Sequence, residues 1–177
     1  MTFGITYSYF SPRFINGKST SYITVISGKM AIDFTDSNPN ITFSNVIPGP
    51  TSSLSNAILN KNFIITGENT TDLNMEYKLN IKVTTNEFAN GEIGYILIGK
   101  NNSNGAIVTN SKTAFTPSSI NTINKGTNLT ISLGNGYFTK STSSVKHEYS
   151  LYLFYIDTGA VQNSQNCKFN GYLSLSI

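Results

Sequence analysis

The chain has one cysteine, one histidine and no tryptophan, and only 12% of its 177 residues are charged. Each shortage excludes something. A lone Cys167 cannot close an internal disulfide, so no cystine framework staples the fold. A zinc site needs three or four His, Cys or carboxylate ligands, and His147 and Cys167 stand twenty residues apart with no His-Glu-x-x-His motif. A Ser-His-Asp triad would have to use that same histidine, and no Gly-x-Ser-x-Gly elbow accompanies it. No run reaches 18 apolar residues, so no segment reads as a membrane-spanning helix. The twelve Lys and Arg give a net charge of +3 and are scattered, which argues against nucleic acid as a partner. Neither a glycine-rich phosphate loop nor an Asp-x-Asp-x-Asp-Gly calcium loop occurs, and Asp33, Asp36 and Asn38 make only a loose group of oxygen donors.

What fills the space left by charge is Asn, Ser and Thr, with Asn at about one residue in eight. Aromatics reach 12%, almost evenly Tyr and Phe. Disordered chains combine high charge with few aromatics, and this chain reverses both. A surface of amides and hydroxyls suits a rigid β protein outside the cell; an AT-rich genome would raise Asn as well. Sequons at Asn40, Asn69, Asn101 and Asn128 are no more than chance supplies in such a composition.

Helix periodicity is nearly absent. Thr51 to Leu59 could form one short turn through Leu54, Ala57 and Ile58, capped by Thr51 or Ser52. Period-two alternation is frequent. Residues 3–9, 20–26, 29–35, 40–47, 59–66, 73–83, 93–98, 129–133, 136–140, 145–156 and the C-terminal run from Phe169 all read as strand. In 73–83, Leu73, Met75, Tyr77, Leu79, Ile81 and Val83 face inward. In 145–156 both faces are apolar, which predicts burial on both sides. Gly134-Asn135-Gly136 reads as a hairpin turn. About nine strands at this spacing imply an all-β sandwich in one domain, residues 13–177, with an exposed insertion near 100–128 that has room for one edge strand and an extended N-terminal arm at 1–12. The arm admits two readings. It resembles the end of a signal peptide, with Thr6 and Ser8 at small-residue positions before Tyr9. It is also a strand with Phe3, Ile5, Tyr7 and Tyr9 on one face.

The order of these segments is similar to that of a known group. Ile5-Thr-Tyr-Ser-Tyr-Phe10 leads to Val25-Ile-Ser-Gly28-Lys-Met-Ala-Ile-Asp33. Then come Ile41-Thr-Phe-Ser-Asn-Val-Ile-Pro-Gly49, Phe63-Ile-Ile-Thr-Gly-Glu-Asn69-Thr and Leu73 to Val83. Tyr149-Ser-Leu-Tyr-Leu-Phe-Tyr-Ile-Asp157-Thr-Gly and Lys168-Phe-Asn-Gly171 close the series. This resembles the TasA/camelysin-like secreted proteins of Gram-positive biofilm matrix and their archaeal pilus relatives, over about two thirds of the chain and without 100–128. Cys167 departs from the glycine expected there. The resemblance implies a jelly-roll-like or Ig-like sandwich, secretion, and homopolymeric fibres in which the N-terminal strand of one subunit completes the sheet of the next. Phe3, Ile5, Tyr7 and Tyr9 would be the donor residues. Neither enzyme activity nor a cofactor is expected of this chain: the protease label of some members of the group would need a metal site that these residues cannot build.

The alternatives are a non-polymerising surface adhesin or carbohydrate-binding sandwich with glycan partners, a viral surface jelly roll, and a hydrolase using two carboxylates. For the last, Glu68, Asp72, Glu76, Glu87, Glu92 and Glu148 are the pool; their spacing singles out no two, and Glu92 with Glu148 is the pair to test first.

Overall fold

The structure is a computed structural model that describes residues 20–25, 28–34, 38–101, 104–159, 164 and 166–177, with the backbone alone described for 20–34. The donor candidates Phe3, Ile5, Tyr7 and Tyr9, and the arm 1–12 that carries them, lie outside the described residues. Among the described residues ten strands follow in order: β1 (Thr20–Val25), β2 (Gly28–Phe34), β3 (Asn40–Ser44), β4 (Leu59–Asn69), β5 (Met75–Asn86), β6 (Ile93–Asn101), β7 (Asn121–Ile123), β8 (Gly126–Phe138), β9 (Val145–Tyr155) and β10 (Lys168–Ser176). The chain is all-β; its helical content among the described residues is two 3₁₀ turns, Leu54–Asn56 and Pro117–Ser119. The first lies inside the short turn expected from sequence. Its cap is Ser53, whose hydroxyl accepts from the Ser55 N–H, rather than Thr51 or Ser52.

The strands form two antiparallel sheets. One has the order β1-β2-β4-β9-β6-β7 and the other β3-β10-β5-β8. They stack face to face: Phe63, Ile65, Tyr149, Leu151 and Leu153 from the first meet Tyr77, Leu79, Ile81, Phe138 and Leu173 from the second in one buried cluster. The alternation of β5 produces this directly. Met75, Tyr77, Leu79, Ile81 and Val83 are buried while Glu76 and Lys78 are exposed, because successive strand residues point to opposite faces. Each fully buried Leu or Ile side chain contributes roughly 2 kcal/mol of transfer free energy. Leu73 departs from the expected pattern. It precedes the strand and is 78% exposed, its carbonyl accepting from the Asn69 side chain in the β4–β5 turn.

One further expectation is corrected. Gly134-Asn135-Gly136 is no hairpin turn but lies within β8, which runs unbroken for 13 residues. The register steps from Leu79 opposite Gly134 to Asn80 opposite Ser132, so Leu133 is the extra residue of a β-bulge. Gly134 takes φ +105 there, a left-handed value that favours glycine. The stretch near 100–128, expected as an exposed insertion, carries the short edge strand β7. Most of its described residues are exposed, yet Val108 and Ile123 are 1% and 0% exposed and belong to the core. Residues 106–112 act as a strap. Ala106 exchanges backbone hydrogen bonds with Tyr137 of β8 at 2.9 Å each, and the Thr109 N–H donates to the Asn135 carbonyl. Six residues on from Ala106, Lys112 donates to the Leu97 carbonyl of β6 and accepts from the Gly99 N–H. The strap therefore joins an edge of one sheet to the other. β7 then pairs with residues 93–95 of β6.

β9 is covered on both faces, as its sequence implies. Leu151, Leu153 and Tyr155 point into the sandwich, while Phe154 on the opposite face is 1% exposed and stacks on Phe115 of the 113–120 loop. At one corner the sheets are tied by Asn69. Its amide donates to the carbonyls of Leu73 and Phe138, and its backbone carbonyl accepts from the Ser141 N–H. Gly67 is required beside it, because a Cβ there would run into the Phe138 ring.

Candidate functional site

The residues that could carry chemistry are few, and the fold distributes them among three places. The first is the interior. His147 and Tyr149 alternate on the inner face of β9, and Tyr77 comes from β5 in the facing sheet, 70 residues away in sequence. The Tyr77 hydroxyl lies 2.6 Å from His147 Nδ1 and 2.6 Å from the Tyr149 hydroxyl, which accepts from the Val108 N–H at 3.0 Å. The ring of His147 stacks on Phe138, centroids 4.2 Å apart. One arrangement of protons satisfies the chain: Val108 N–H to Tyr149, Tyr149 O–H to Tyr77, Tyr77 O–H to His147 Nδ1. It leaves the imidazole neutral with its proton on Nε2, and Nε2 is buried with no partner among the described residues. Burial lowers the His147 pKa to about 4, since the charged form would lose its hydration. Burial also raises the phenols, Tyr149 to about 12 and Tyr77 further, the latter helped by its neighbour Tyr149. His147 is thus a core histidine, as its place beside Tyr149 suggests, but its partner is Tyr77. No sequence signal links residues 70 apart. The group is sealed: His147, Tyr77 and Tyr149 are all 2% exposed or less, so no substrate reaches it in the closed fold.

The second place is the connection between β5 and β6. Glu92, 4% exposed, accepts at Oε2 from the Ala89 N–H at 2.9 Å and the Ser164 hydroxyl at 2.8 Å. It clamps two loops together beside Tyr155, whose phenol burial pushes up. Cys167 is half-buried nearby, its thiol 3.5 Å from the Glu87 carbonyl. The carboxylate pair Glu92 and Glu148 does not form. Glu92 precedes Ile93, which faces Tyr155, whereas Glu148 faces Lys100 at the other end of β6. Eight residues of strand place the two roughly 26 Å apart, far beyond the span of a glycosidase pair.

The third place is the outer face of the six-stranded sheet. β4, β9 and β6 there enclose an open depression of about 440 Å³ walled by Asn62, Ile64, Ile98, Lys100, Glu148 and Ser150. Strand register sets them in two rows, Asn62–Ser150–Ile98 and Ile64–Glu148–Lys100. The Ser150 hydroxyl donates to Asn62 Oδ1 at 2.6 Å. Sequence reading did not find this surface, because its members come from three distant segments.

Among the described residues no three His, Cys, Asp or Glu side chains gather to hold a metal ion. Asp36 lies outside the described residues, and Asn38 uses its side-chain oxygen on the Asn40 N–H. No helix among the described residues is long and apolar enough to cross a membrane. Of the sequons, Asn69 is 1% exposed with both ends of its amide engaged, so it is closed to glycosylation, while Asn40 and Asn128 are exposed. Comparison with protein-family models, with curated proteins and with solved structures finds no match to this chain.

Proposed function

We propose that the chain is a structural, non-enzymatic subunit of an extracellular homopolymeric filament, of the kind built by the TasA/camelysin-like proteins it resembles. Subunits would be joined by strand addition of the N-terminal arm. The observation that carries this reading is the pairing of an amphipathic arm with a body rich in strand edges. Phe3, Ile5, Tyr7 and Tyr9 recur at period two in the arm 1–12, and seven residues separate that arm from β1, itself an edge strand. Strand addition draws affinity from backbone hydrogen bonds and register from alternate side chains, and this arm supplies both.

We also propose that the sandwich is a jelly roll. Strands β3 to β10 support this by their order, β3-β10-β5-β8 against β4-β9-β6-β7. Two interleaved Greek keys of eight strands have that order, with β1 and β2 extending one sheet beyond β4.

Electron microscopy of the full chain beside a chain beginning at residue 13 tests the filament. Filaments that disappear with the arm, and with Ile5→Asp plus Tyr7→Asp in the full chain, are the expected result. Single particles in all three samples would overturn it. The outer-face depression favours a second reading, a glycan-binding surface, since Asn62, Lys100, Glu148 and Ser150 offer amide, ammonium, carboxylate and hydroxyl groups to a polyol. A glycan screen with hits lost in Asn62→Ala would favour that reading instead.

A further inference from the structure

The strap and the buried histidine belong to one hydrogen-bonded chain. Residues 106–112 close the side of the sandwich by backbone bonds to Tyr137 and Asn135 on β8 and to Leu97 and Gly99 on β6. At the middle of the strap Val108 enters the core, and its N–H is held by the Tyr149 hydroxyl. Through Tyr77 that same chain ends on His147 Nδ1. With the imidazole neutral and its proton on Nε2, the chain runs in one direction, each group donating to the next, and His147 Nδ1 is its final acceptor.

We infer that the strap is an acid-released latch, locked while His147 is neutral and opened when it is protonated. A protonated imidazole turns Nδ1 into a donor. Tyr77 must then accept from it and donate to Tyr149. The Tyr149 oxygen, already holding the Val108 N–H, receives a second donor, and its own proton loses its acceptor. The core would then hold a buried cation, an Nε2–H with no partner among the described residues, and an unpaired phenol proton. Buried groups in this condition are costly, and admitting water at the strap relieves all three. No charged side chain among the described residues contacts the ring to offset the cation. The groups that touch the ring are the phenol of Tyr77 from β5 and the uncharged Phe138 from β8, and Tyr149 joins through Tyr77. The register neighbours are Ile65 on β4 and Asn101 on β6, and burial alone shifts the ring's titration. Lys146 and Glu148, adjacent on β9, point to the opposite face.

Opening would expose backbone donors and acceptors of β8 at 135–137 and of β6 at 97–99, two edges able to take an added strand. This consequence is independent of the filament reading and holds for a monomer.

Hydrogen exchange on the full chain, read by mass spectrometry at pH 7.0 and pH 4.0 and corrected for intrinsic rates, tests the latch. The expected result is at least a tenfold loss of protection at the 106–112 amides on acidification, with β5 and β9 amides keeping theirs. His147→Gln, which cannot be protonated, should hold strap protection constant between the two pH values. Tyr149→Phe should lower it at both. As a check independent of mutation, the single histidine can be followed by NMR, and its titration should coincide with strap opening. Equal acid loss in His147→Gln, a strap that stays protected in the wild type as the histidine titrates, or a midpoint unrelated to the opening would each overturn the proposal.

Discussion

Tyr77 carries a hydroxyl into the middle of the sandwich, where it is donor to one neighbour and acceptor from another. Tyr77→Phe keeps the ring stacked on Phe138 but strands two polar groups, His147 Nδ1 and the Tyr149 proton. An orphaned buried polar group costs about 1–3 kcal/mol, so the variant should lose about 2 kcal/mol or more, read as a lower urea midpoint at pH 7. His147 governs the response to acid. Its folded pKa, about 4, lies below the ordinary 6.5. The unfolded chain therefore binds the proton first as pH falls. The stability contributed by the neutral ring is complete above about pH 6.5 and is lost progressively as pH falls toward 4. At pH 4.5 the loss amounts to roughly 2.5 kcal/mol, taking 1.36 kcal/mol per pKa unit. Urea titrations of the wild type and His147→Phe at pH 7.0 and 4.5 should show the steeper fall in the wild type. Parallel falls would mean that carboxylates alone set the acid response.

At the scale of elements, β8 marks the boundary of what the chain discloses. β5, β9 and β10 are legible because uninterrupted period-two alternation needs no knowledge of the partner strand. β8 reads as two pieces because Gly134 and Gly136 mimic a turn, while the bulge that accommodates them depends on β5 across the sheet. The strap is illegible for a related reason: residues 106–112 have no periodicity, and their order comes from two sheet edges that the sequence brings near only after folding. Among the candidate sites, His147 beside Tyr149 could be read from one strand, but Tyr77, Val108 and the Asn62–Ser150 surface could not. The glycines separate local from tertiary constraint. Gly91, with φ +85 and nothing within 4 Å of an added Cβ, and Gly134, with φ +105 and Thr109 in the way, share a positive φ and differ chiefly in packing. Gly91→Ala should cost about 1 kcal/mol for its backbone strain. Gly134→Ala should cost at least 1 kcal/mol more, because the strap must also move. Thermal melts of the two variants measure the difference, and equal costs would show that the strap yields freely at Thr109.

For the molecule as a whole, the placement of the chain termini makes different demands. β10 lies between β3 and β5, with Phe169 opposite both Phe43 and Asn86, so the last strand completes the centre of its sheet. Phe169 is fully buried and stacks on Phe43 with ring centroids 5.0 Å apart. Removing residues 168–177 deletes Phe169, Leu173 and Leu175 from the core and leaves β3 and β5 unpaired along facing edges. That loss, at roughly 2 kcal/mol for each side chain, matches the whole stability of an ordinary domain, and the truncated chain should be unfolded by circular dichroism. A strand reserved for a neighbouring subunit has the opposite signature: its own domain must stand without it. A chain beginning at residue 13 should therefore melt within a few degrees of the full chain under conditions that keep both monomeric. A collapse of the transition in that chain would place Phe3, Ile5, Tyr7 and Tyr9 among the contacts of their own domain, and the filament reading would lose its donor.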